Sequence, residues 1–129
     1  MEVRIFKLQS PKLQIEILNY GGVIKSIKTP DKNDNFENIV LEYEDINLYK
    51  SNSNYFGALI GRTSGRIYNG EFTLNNEKYT LVKNDNKHHL HGGTTGYNKV
   101  FWEVLDYTDD RILLSYTSKD GEEGYPGNL

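Results

Sequence analysis

Apolar and polar residues alternate along most of the chain. In EVRIFKL, residues 2–8, Val3, Ile5 and Lys7 share one face, opposite Arg4, Phe6 and Leu8. KLQIEILNYGG, residues 12–22, sets Leu13, Ile15 and Ile17 against Gln14 and Glu16. A period of two marks strands, because successive side chains of an extended chain point to opposite sides. GVIKSIKTPDKNDN, residues 22–35, predicts a strand closed by a turn at Pro30, Asp31 and Asn33. NIVLEY, residues 38–43, predicts another short strand. Residues 44–62 predict a loop or a single helical turn ahead of the apolar segment 56–60.

Two hairpins follow. In residues 65–82 Phe72 and Leu74 alternate, Asn75 and Asn76 form a two-residue turn, and Tyr79 and Leu81 return. FWEVLDYTDDRILLSYTSKD, residues 101–120, repeats the plan around Asp109 and Asp110. The tail GEEGYPGNL is a loop punctuated by glycine and proline. Short strands at this density predict an all-β fold, a sandwich or a mostly antiparallel sheet.

Composition supports that class and narrows the function. The chain has 129 residues, the size of one domain, and is rich in Asn, Gly and Tyr. Its net charge is -3, and no basic run offers the footprint a nucleic acid requires. With no cysteine there can be neither a disulfide nor a thiolate metal site. The N-terminus has no apolar run of signal-peptide type, and no segment has membrane-spanning length. The expectation is a soluble, cytoplasmic protein.

All three histidines fall within KHHLHGGTTGYNKVFW, residues 87–102. In an extended backbone His89 and His91 would share a side and His88 would take the other. A His-x-His pair can chelate a metal, but zinc needs three or four ligands, and Asp85 is the only carboxylate nearby; no metal site is assigned. His91 has two readings. It is a loop histidine satisfied by backbone groups beside Gly92 and Gly93, or those glycines bring the backbone near a ligand to which the imidazole donates.

GALIGRTSGRI, residues 57–67, places Arg62 and Arg66 four apart and lacks the ending of a phosphate-binding P-loop. The two arginines are solvated, or they form a guanidinium fork aimed at ligand oxygens. Asp120, Glu122 and Glu123 read as solvated loop carboxylates rather than an acid–base pair. Tyr97, Phe101, Trp102 and Tyr125 are either core residues or a flat face for a sugar ring.

NYGGVIKSIKTPDK, GRTSGRIYNGEFTLNNEKYTL, HLHGGTTGYNKVFWEV and DGEEGYPGNL occur in this order. Together they resemble the N-terminal part of the aldose 1-epimerases, or galactose mutarotases, through essentially the whole chain. The resemblance implies an antiparallel β-sandwich with a sugar cleft, residues 1–129 forming the N-terminal portion of one such domain. It implies an isomerase that interconverts the α and β anomers of free hexoses such as galactose and glucose. Ring opening and reclosure would use a general acid and a general base, with no metal or organic cofactor.

Carried across residue by residue, Arg66 matches the family's sugar-binding arginine. His91 matches its first active-site histidine, a substrate-binding and assisting catalytic residue near the ring oxygen. The residue before the arginine is commonly Asn in the family; here it is Gly65, and that contact is lost. The family's general acid is a second histidine in an Asn-His-x-Tyr-Phe-Asn-Leu motif, and its base a late glutamate. Both lie past the position matched by Leu129, so this chain is expected to carry binding residues without the acid and base. The implied partner is a small-molecule sugar, with self-association through exposed strand edges. Alternatives are a non-catalytic carbohydrate-binding module, a hexose 6-phosphate relative that uses Arg62 and Arg66, and a purely structural piece.

Overall fold

The alternating segments become strands, and every pairing is antiparallel. A computed structural model describes residues 1–129. The strands are β1 (Ile5–Ser10), β2 (Leu13–Leu18), β3 (Ile24–Pro30), β4 (Phe36–Asn38) and β5 (Arg66–Ile67). They continue with β6 (Glu71–Leu74), β7 (Glu77–Thr80), β8 (His89–Leu90), β9 (Glu103–Tyr107) and β10 (Ile112–Ser115). The only helical pieces are 3-10 turns at Ile46–Lys50, Tyr68–Gly70, Tyr97–Lys99 and Glu122–Gly124. None is long and apolar enough to cross a membrane. The chain divides into two compact units, one of Met1–Leu59 with Asn98–Tyr116, the other of Ile60–Tyr97 with Thr117–Leu129.

The first unit contains the sheet β1-β2-β3-β4 and the hairpin β9-β10. In β1 the half-buried positions are Phe6 and Leu8, while Ile5 is exposed. Phe6 meets Tyr107 edge-on at 5.2 Å. On β3, Lys25 is an extra residue between the pairs Glu16–Ser26 and Ile17–Ile24. Such a bulge re-aims a side chain. The mostly buried Lys25 ammonium reaches Glu16 at 3.4 Å and Glu42 at 2.5 Å. Leu18, Val23 and Tyr49 form the fully buried core, with Val3, Tyr43, Ile46 and Ala58 packed around them. Tyr49 lies on the single helical turn expected in residues 44–62, started by Asp45, whose carboxylate accepts from the Asn47 N–H at 2.9 Å.

Only the first residue of NIVLEY is in a strand. β4 ends at Asn38, and residues 39–43 form a loop. The Asn38 Oδ1 accepts from the backbone N–H of Ile27 (3.0 Å) and Val40 (3.3 Å), taking the place of a ladder carbonyl. Local side-chain hydrogen bonds of this kind compete with strand pairing and end it.

The second unit holds the hairpin β6-β7 and the pair β5-β8. The hairpin turns as expected: Asn75 (φ 52°) and Asn76 (φ 64°) both take the left-handed conformation of a type I′ turn. The buried hydrophobic residues of the second unit are Leu81 and Tyr125. Most of its order comes from the polar contacts that also shape the site.

Candidate functional site

The residues with chemical potential gather in the second unit around β5 and β8, where Arg66 pairs with Leu90 and Ile67 with His89. The Asn84 side chain extends this short ladder. Its Oδ1 accepts from the Leu90 N–H (2.8 Å) and its Nδ2 donates to the Leu90 carbonyl (2.9 Å). Residues 85–88 then form a tight turn with mutual backbone bonds between Asp85 and His88, and with Asn86 at φ 54°.

The three histidines have three different surroundings. His89 is fully buried; its Nδ1 lies 2.6 Å from the Val82 carbonyl and its Nε2 2.7 Å from the Tyr125 hydroxyl. A carbonyl only accepts, so Nδ1 carries the proton and Nε2 receives the tyrosine O–H. Burial pushes the Tyr125 hydroxyl pKa up, opposed by hydrogen bonds from Thr63. His88 accepts the Asn69 N–H at Nδ1, 3.1 Å.

His91 does not continue the extended run, because its φ is 51°. It is tied to Gly65 in both directions. The His91 N–H donates to the Gly65 carbonyl (2.9 Å), and the Gly65 N–H donates to His91 Nδ1 (3.1 Å). With Nδ1 accepting, the neutral ring holds its proton at Nε2 and is a hydrogen-bond donor there. Gly65 has φ 78°, and a Cβ built on it would meet nothing within 4 Å.

Gly92 and Gly93 admit protein rather than ligand. A Cβ on Gly92 would lie 1.6 Å from the Gly61 carbonyl oxygen, and one on Gly93 2.2 Å from Glu123 Oε2. The Glu123 carboxylate accepts the N–H groups of Thr94 (2.9 Å) and Thr95 (3.0 Å), one on each oxygen. The tail carboxylates are therefore clamps, not merely solvated groups. Asp120 accepts from the Gly127 N–H, and Glu122 takes the Ser118 hydroxyl.

The two arginines separate completely. Arg62 directs Nε to Ser118 Oγ (2.8 Å) and its terminal nitrogens to the carbonyls of Ser118, Lys119, Pro126 and Gly127 at 2.9–3.1 Å. The same guanidinium lies 5.5 Å from the centre of the Tyr125 ring. Its donors are committed to residues 118–127, so it is not half of a ligand-binding fork. Arg66 is open: its side chain is 62% exposed, and only Nε is engaged, by Asp85 Oδ2 at 2.6 Å. Asp85 orients the guanidinium and leaves the terminal nitrogens toward solvent.

Of the four aromatic residues read as core or as a flat sugar face, three take the first alternative and Tyr97 is half-buried. Tyr125 is buried against His89, Phe101 packs edge-on against Tyr20 at 4.9 Å, and Trp102 tilts against Tyr116 at 5.7 Å. The exposed ring of the second unit is Tyr68, 70% accessible, which its position two residues beyond Arg66 could have flagged. No group of three His, Cys, Asp or Glu side chains is arranged to hold a metal ion.

An antiparallel all-β chain with an oriented arginine and a tautomer-fixed histidine has close structural counterparts. An aldose epimerase homologue from C. elegans superposes with a TM-score of 0.94 at 25% identity, covering 98% of this chain and 39% of that one. The aldose 1-epimerase family model matches residues 4–129. The chain therefore belongs to the aldose 1-epimerase family. It is 37% identical over 127 residues to the galactose mutarotase of Bos taurus and 38% identical to that of Sus scrofa. These matches cover 98% of this chain and 37% of each relative, so the chain spans well under half the length of the curated relatives it matches.

Proposed function

We propose that this chain supplies substrate-binding residues of an aldose 1-epimerase that interconverts the α and β anomers of free hexoses such as galactose and glucose. Anomerisation requires a proton delivered to the ring oxygen and another removed from the C1 hydroxyl, followed by rotation about C1–C2 and reclosure. Arg66 presents its terminal nitrogens to sugar hydroxyls. His91 presents Nε2–H toward one lone pair of the ring oxygen, which fixes the ring and leaves the other lone pair to take the proton of the general acid on opening. The general acid and base come from outside these 129 residues. The observation that carries the reading is the two-way bond between Gly65 and His91, which fixes a donor imidazole next to the strand that bears Arg66.

The hexose 6-phosphate alternative loses support because Arg62 spends its donors on residues 118–127. The test pairs binding with turnover. Galactose titrated into the chain should shift the NMR signals of Arg66 and His91, and Arg66→Ala should abolish the effect. Polarimetry on freshly dissolved α-galactose should show a drift no faster than buffer. Clear acceleration would place the acid and base inside this chain, and an unchanged spectrum would remove its binding role.

A further inference from the structure

We propose that residues 39–43 and the apolar groove beside them form a docking surface on which a further stretch of polypeptide adds a strand. The partner is the part of an aldose 1-epimerase for which this chain has no counterpart. Matches cover 37% of the curated relatives and 39% of the C. elegans homologue, so about three-fifths of each is unaccounted for here. The proposal deepens the reading that the general acid and base lie outside residues 1–129.

The surface begins where β4 stops. The Ile39 N–H still reaches the Ile27 carbonyl at 2.9 Å, and then the backbone leaves β3. The N–H groups of Leu41 and Glu42, and the carbonyls of residues 39–42, bond to no other group of the chain. Ile39 and Leu41 are 63% and 71% exposed. None of residues 39–43 is Gly or Pro and none has a positive φ, so nothing in this segment bars strand geometry. Free backbone groups flanked by exposed apolar side chains are a template for strand addition.

Ile24, Ile27, Val40, Leu41 and Phe56 line an open groove of about 460 Å³ within the first unit. Its floor is firm, since Tyr43 stacks on Phe56 at 5.1 Å and takes the Asn54 side-chain N–H at 3.2 Å. No charged side chain lines it, whereas a pocket for a polar small molecule needs convergent polar groups. An added strand fits both features: its backbone pairs with residues 39–42, and its alternate apolar side chains enter the groove. Contiguous apolar surface of this kind ordinarily marks an interaction site. The C. elegans homologue has this same fold, with a TM-score of 0.94, and carries its further three-fifths against some face of it. The groove with its free backbone edge is the face built to receive them.

A chimera tests this: the bovine galactose mutarotase with this chain in place of the part it matches. Exchange of the Leu41 and Glu42 amides should be about tenfold or more slower in the chimera than in the free chain. Leu41→Asp should leave the urea midpoint of the free chain unchanged and lower that of the chimera clearly, because only the chimera buries the new charge. An equal effect in both would overturn the proposal. Polarimetry on the chimera reads the acid and base separately. Protected amides without mutarotation would keep the docking surface and sink the acid–base reading, and mutarotation with both amides unprotected would do the reverse. Neither protection nor mutarotation would sink both. Protection already present in the free chain, with sedimentation at twice the monomer mass, would give the surface to a second copy and overturn the proposed partner.

Discussion

In the first compact unit, order comes from ladders and apolar burial. Four strands pair in sequence, and Leu18, Val23 and Tyr49 are fully enclosed. In the second, the strands pair only two by two, and the buried hydrophobic residues are Leu81 and Tyr125. Its backbone is bent far more. Asn69, Asn75, Asn76, Asn86, His91 and Glu123 are six of the chain's eight non-glycine residues with positive φ. What holds those bends is polar: Arg62 on four carbonyls and a hydroxyl, Glu123 on two amides, His89 between a carbonyl and a tyrosine, and Asn84 on Leu90. Buried polar networks are costly when incomplete and rigid when complete. A site that must aim donors at sugar oxygens benefits from that rigidity, and the candidate residues lie in the unit that has it.

The largest effect should come from closing the space at Gly92. Gly92→Ala puts a methyl 1.6 Å from the Gly61 carbonyl oxygen at φ 87°, and should cost about 4 kcal/mol or prevent folding of the unit. Urea denaturation followed by tryptophan and tyrosine fluorescence would measure it, and a loss under 1 kcal/mol would contradict the geometry.

Next come two substitutions that oppose the two means of support. Leu18→Ala should cost about 3 kcal/mol through the cavity it leaves. Arg62→Lys keeps the charge but loses the planar fork, and should cost about 2 kcal/mol. Hydrogen exchange separates them. The arginine change should speed exchange at the Ser118 and Leu129 amides, and the leucine change in β2. Uniform acceleration in both variants would erase the contrast between the units.

Tyr125→Phe should cost about 1–2 kcal/mol at neutral pH, because His89 Nε2 loses its donor in a buried place. It should also change the alkaline limb. Burial raises the Tyr125 pKa above its ordinary value of 10.0, so the folded state resists ionisation more than the unfolded one. That stabilisation is fully present below pH 10 and is lost as pH rises through the raised value. The Phe variant should lack this component in melting curves taken across alkaline pH.

The smallest effect concerns the ion pair of the first unit. Hydrogen bonding to Lys25 lowers the Glu42 pKa below 4.5, so its stabilisation is present above that value and is lost as pH falls through the lowered one. Glu42→Gln should flatten the acid limb and cost about 1 kcal/mol near neutrality. An unchanged acid limb would show that Glu42 adds nothing to the hold on Lys25, leaving Glu16 and the backbone to keep the bulge.

Much of the fold could be read from local pattern. Period two located β1, β2, β3, β9 and β10, and the Asn75 and Asn76 pair marked the β6-β7 hairpin, because strand alternation and left-handed asparagines are decided within a few residues. NIVLEY had a strand's composition, but its pairing ends at Asn38 and one Ile39 N–H bond to Ile27, because the Asn38 side chain took the ladder's place beyond that, a competition that periodicity does not register.

The site divides along the same line. Four motifs in order pointed to the family and to Arg66 and His91, since residue type and spacing survive as sequence. Which arginine faces solvent was not legible. Arg62 and Arg66 each follow a glycine, yet one reaches carbonyls 56 to 65 residues away and the other meets a turn 19 residues on. The same holds for Glu123, for the histidine that is buried and the one whose tautomer is fixed, and for the exposed Tyr68. Each depends on which groups distant in sequence come into contact, and chain topology brings those groups together only once the fold is formed.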